Sequence, residues 1–132
     1  MFILFNRKKR YFLGKKWTLQ RQIWELEFKK HSTMEIRELI RLDRDRLKES
    51  VDALNVELGK EHKDETKKEL ESRKVVLEDT IGRYEAQMKM LDEEVQGLPY
   101  KSPEDVGKQG IDDTIASLME TLKLVESYVK SL

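Results

Sequence analysis

The sequence predicts an all-α protein. An antiparallel, coiled-coil-like helical hairpin and a C-terminal helix should form an elongated three-helix bundle, preceded by a basic, aromatic N-terminal arm. Three observations predict it. Apolar residues recur in alternating steps of four and three along three stretches, the spacing of a helix–helix seam. Only two prolines occur among 132 residues, Pro99 and Pro103, so most of the chain lacks that helix breaker. Charged residues make up 39% and hydrophobic residues 38%, too polar for a thick globular core but normal for long helices with narrow seams.

The arm, residues 1–31, differs in chemistry from the rest. It holds nine Lys/Arg and two Asp/Glu, whereas residues 32–132 hold seventeen and twenty-four, so the zero net charge is a cancellation. Both tryptophans, all four phenylalanines and Tyr11 also lie in the arm. Residues 17–30 read as helix, with Leu19, Ile23 and Leu26 on one face and Trp24 and Phe28 on a neighbouring one. Such a segment carries more apolar surface than one partner covers. Residues 1–16 show no clear period, and Gly14 separates them from the tryptophans.

Ser32-Thr33-Met34-Glu35 reads as a capping box and places a helix start there. The first body helix is expected over about residues 33–62. Its seam is Thr33, Arg37, Ile40, Arg44, Leu47, Val51, Leu54 and Leu58. Gly59 and a polar run to residue 66 suggest a turn. The second helix, about 66–96, carries Leu70, Lys74, Leu77, Ile81, Tyr84, Met88, Leu91, Val95 and Leu98. The two seams mirror each other about residue 64, which favours a hairpin over one continuous helix. That register sets Arg44 opposite Tyr84 as a cation–π pair. Residues 96–110 form the clearest linker, with Ser102-Pro103 as the start of a short helical turn stopped by Gly107 and Gly110. The third helix, about 111–132, has the cleanest seam: Ile111, Ile115, Leu118, Leu122, Val125, Val129 and Leu132. It either completes the bundle or stays open for another chain, which would make a homo-oligomer.

Function is expected to lie in the arm. The candidate partner-binding residues are Phe2, Phe5, Arg7, Lys8, Lys9, Arg10, Tyr11, Phe12, Lys15, Lys16, Trp17, Trp24 and Phe28. Trp, Phe and Arg are the usual anchors of protein interfaces. The same composition suits a membrane interface, where rings enter the headgroup boundary and cations meet anionic lipid. It suits nucleic acid less well, with Lys/Arg on phosphates and rings on bases. The bland reading is an arm folded back on its own bundle. Arg7-Lys8-Lys9-Arg10 also resembles a nuclear import signal, a short pattern that any solvated charge run produces.

Nothing points to a reaction. The absence of cysteine excludes disulfides and thiolate chemistry. His31 and His62 lie at polar boundaries without a second ligand at useful spacing, and read as solvated imidazoles. Paired carboxylates such as Asp112 and Asp113 lack the burial that acid–base work requires. No phosphate loop or nucleophile elbow occurs. No catalytic residue, cofactor or metal is expected. The apolar start, Met1 to Phe5, is too short for a secretory signal and precedes its cations, and no run is long enough to span a membrane. The expectation is a non-enzymatic structural or assembly protein, intracellular or particle-associated, such as a virion component. Its helical scaffold would be anchored to a larger complex by the arm. A peripheral membrane protein is the alternative.

Overall fold

The computed structural model describes residues 2–97 and 110–132, with side chains from residue 7 onward. Every element within them is an α-helix: α1 (Phe2–Leu58), α2 (Asp64–Gln96) and α3 (Ile111–Ser131). Their contacts are consistent with a bundle. Leu98, both prolines and the expected turn at Ser102 lie outside the described residues.

The arm is not separate from the first helix. α1 runs unbroken for 57 residues, through Gly14 and through Ser32. A capping box needs an extended residue at its start, but Ser32 and Thr33 are helical and Thr33 is buried in the seam. The predicted seam in fact extends back to Phe12. Phe12, Lys16, Leu19, Ile23, Leu26 and Lys30 take the same steps of four and three that lead into Thr33. Every position from there to Leu58 is likewise buried or half-buried. Packing along that seam, not local capping, carries α1 through Ser32 without a break.

α1 stops at Gly59, whose N–H donates to the carbonyls of Asn55 and Val56 at 3.1 and 3.2 Å. His62 lies over this end. Its Nε2 donates to the Glu57 carbonyl at 2.7 Å, and its side chain is only 16% exposed. So His62 is a helix-terminating group rather than a solvated one. α2 then opens on Asp64 and Glu65, acidic residues that suit the positive end of the helix dipole. It closes on Gly97, at a φ of 82° that a side chain would disfavour.

The chain divides into two compact units, one of Met1–Thr33 with Glu93–Leu132, the other of Met34–Asp92. The expected body of residues 32–132 is therefore not one unit. In the first, α3 runs antiparallel to the start of α1: Lys16 pairs with Glu126 at 4.0 Å and Lys30 with Asp112 at 2.7 Å. The end of α2 joins through Lys29 and Glu94, 3.4 Å apart. Leu19, Ile23, Thr33, Val95 and Ile111 are its buried side chains. Phe12 packs on Tyr128 with ring centroids 4.6 Å apart. The seam of α3 is buried at Ile111 and half-buried along the rest, and within this unit it packs against the expected arm.

The second unit is the hairpin itself, with only α1 and α2 in it. Arg37 donates to Asp92 at 2.5 Å and Lys48 meets Glu85 at 3.5 Å, antiparallel pairs close to the predicted mirror about residue 64. Ile81 and Met88 are its buried residues. The expected stacking of Arg44 on Tyr84 does not form. Arg44 instead gives both Nε and Nη2 to Asp45, at 3.1 and 3.0 Å, because a carboxylate one residue away offers a charge-assisted pair.

Candidate functional site

The first half of α1 has two apolar faces, and only one of them is used. At about 100° per residue, Leu13, Trp17, Trp24 and Phe28 fall within about 60° of arc, some 140° round from the buried seam. Leu19 and Ile23 in the seam are each 5% exposed, while Trp17, Trp24 and Phe28 are 72%, 65% and 74% exposed. The three rings and Leu13 form a ridge about 22 Å long, from a rise of about 1.5 Å per residue. Isolated exposed apolar residues are ordinary, but three large rings aligned on one face are not.

Charge around the ridge is one-sided. Residues 7–24 contain seven Lys/Arg and no Asp/Glu. Two of the seven are neutralised within the unit, Lys16 by Glu126 and Arg21 by Glu25, the latter at 3.1 Å. Arg7, Lys8, Lys9, Arg10 and Lys15 are exposed, and among the described residues none has a carboxylate within ion-pair distance. Farther along, Lys29 and Lys30 are paired and Glu27 adds one carboxylate beside Phe28. The excess of positive charge is therefore concentrated at the start of the ridge.

The thirteen candidate residues are divided by this arrangement. Trp17, Trp24 and Phe28 are brought together on the ridge, and Arg7, Lys8, Lys9, Arg10 and Lys15 ring the helix at its N-terminal end, Arg10 on the ridge side and Lys8 and Lys15 away from it. Tyr11 is 66% exposed and meets Phe12 edge-on at 5.1 Å. Phe12 and Lys16 are turned inward to Tyr128 and Glu126 and serve the fold. The side chains of Phe2 and Phe5 lie outside the described residues. Leu13 is the ridge residue missed by the candidate set, and its spacing of four before Trp17 is the signal that marks it.

Two apolar grooves lie among the described residues. A trough of about 650 Å³ in the hairpin unit is walled by Leu54, Val76 and Leu77, and its one charged pair, Glu69 with Arg73, is closed on itself at 2.9 Å. A second, of about 480 Å³, lies between α1 and α3 beside Leu26 and Leu118. Neither holds a histidine or a hydroxyl paired with a base. Among the described residues no group of three or more His, Asp or Glu is placed to hold a metal ion. Among the described residues, Glu38 is the carboxyl displaced from its ordinary pKa. Hydrogen bonds from Arg41 hold it low on an open helix surface, which is a surface ion pair and not a site.

Comparison with protein-family models, with curated proteins and with solved structures found no match to this chain. No described helix is long and apolar enough to cross a membrane.

Proposed function

We propose that this is a non-enzymatic structural or assembly protein, a helical scaffold held to a larger complex, such as a virion or another particle, through the N-terminal half of α1. The observation that carries this reading is the ridge: Trp17, Trp24 and Phe28 stay about two-thirds or more exposed while α3 covers the opposite face of the same helix. Aromatic anchors of this kind dominate binding energy where they are buried by a partner. Residues 32–132 hold twenty-four Asp/Glu against seventeen Lys/Arg, an acidic balance that suits the scaffold part of the chain.

The test is substitution of the ridge alone. Trp17→Ser with Trp24→Ser and Phe28→Ser should leave the helical content unchanged and release the chain from the particle or complex with which it co-fractionates. Retention at the wild-type level would remove the ridge as the anchor.

A further inference from the structure

The ridge lies on the outside of its unit, and the charge beside it points to what it docks on. Resting on the reading that the ridge is the anchor, we propose that it docks flat on an anionic lipid surface, with its rings in the headgroup boundary.

Three features favour lipid over the other anionic partners. First, the ridge is convex: its rings project from a single helix, and the neighbouring groove opens between α1 and α3. A deformable interface accepts such a shape, whereas a protein partner must supply a matching cleft. Second, Arg7, Lys8, Lys9, Arg10 and Lys15 are spread round the whole circumference of α1 over about two and a half turns. That distribution makes a field, not a set of directed pairs. It suits a surface of mobile headgroups, and three of the five are Lys, which protein interfaces disfavour. Third, single-strand binders set their rings in a basic groove that tracks the backbone. Among the described residues no such groove is lined by these rings; the polar trough with Arg37 and Lys89 belongs to the other unit. Trp, Phe and Leu on one face with Lys and Arg around them is the pattern of a helix that lies in the interface plane. Among the described residues of this unit, α3 packs on the other side of α1 from the ridge.

The chain carries its own reporter. Trp17 and Trp24 are its two tryptophans, and both stand on the ridge. The full chain should be titrated with vesicles of phosphatidylcholine containing about one-third phosphatidylglycerol. The tryptophan emission should shift to the blue, and brominated lipid should quench it. Neutral phosphatidylcholine vesicles should produce no shift, and raised salt should reverse the effect. Arg7→Glu with Lys9→Glu and Arg10→Glu, the cations within about 90° of the ridge on the helix, leaves the rings and the ion pairs of the unit intact. It should weaken binding about 100-fold, from the usual contribution per basic residue near an anionic surface. Equal binding by that variant would overturn the charge argument. An unchanged emission with anionic vesicles at low salt would overturn the proposal, as would a shift produced only by an oligothymidylate or an acidic polypeptide. If vesicles fail but the ridge substitutions still release the chain from its complex, the lipid assignment falls and the anchor stands. If those substitutions also release nothing, both fall.

Discussion

Size and burial make opposite predictions at neighbouring positions of α1, and the structure decides between them. Trp17 and Trp24 are the largest side chains of the helix; Leu19 and Ile23 are smaller but 5% exposed. Leu19→Ala and Ile23→Ala remove buried methyl groups from the core shared with Val95 and Ile111, and each should cost about 2–5 kcal/mol. Trp17→Ala and Trp24→Ala remove far more carbon, yet from side chains 72% and 65% exposed. Surface changes stay within about 0.5 kcal/mol, and alanine's higher helix propensity offsets part of that. Urea unfolding of each variant, followed by far-UV circular dichroism, separates the cases. The seam variants should move the midpoint of the first unit well down and the ridge variants should leave it in place. Because the chain has two units, the transition is to be fitted as two steps. A Trp17→Ala midpoint lowered as far as that of Leu19→Ala would show that the ridge is packed, and the docking argument would have no surface to stand on.

Gly110→Ala should destabilise the first unit by about 1–3 kcal/mol, because the new methyl would meet the backbone of Val95, Gln96 and Gly97, which cannot turn aside as a flexible side chain could; a thermal melt reads it. Deleting residues 1–33 should unfold α3 as well, since a 21-residue helix stripped of its cover is marginal in water; hydrogen exchange of the α3 amides should rise to that of unfolded peptide. Arg41 holds the Glu38 carboxyl below 4.5, so that pair contributes only above the ordinary glutamate pKa and is lost as the pH falls through the lowered value. Arg41→Met should bring the Glu38 midpoint, followed by NMR, back up towards 4.5.

Much of the helical plan was legible in the sequence. The seam residues from Thr33 to Leu58, from Leu70 to Val95 and from Ile111 to Leu132 are buried or half-buried as their spacing requires. The polar stretch after Gly59 holds the turn. The start of α1 was misread because two of its seam positions, Lys16 and Lys30, are charged. Their stems pack while their ammonium groups reach Glu126 and Asp112, so the register looked broken where it continues. The change of charge at residue 32 and the capping pattern beside it then suggested a boundary that packing overrides. Arg44 and His62 were misplaced for a different reason. Their contacts depend on which near neighbour offers the better acceptor, Asp45 for one and the Glu57 carbonyl for the other. Periodicity carries no information about that choice. The ridge was half visible: the second apolar face of α1 is written in the spacing of Trp17, Trp24 and Phe28. That α3 covers the other face, and leaves this one open, required the fold. Removing the arm wholesale would dismantle a packed unit, so the rings must be substituted within the full-length chain to test what they bind.

Hydroxyl-radical footprinting of Trp17, Trp24 and Phe28, in the purified chain and in the particle or membrane fraction with which it co-purifies, tests the central claim most directly. The account predicts rapid oxidation of all three rings in the free chain and strong protection in the bound fraction, with Phe12 slow in both. Equal labelling of the three rings in both states would contradict it.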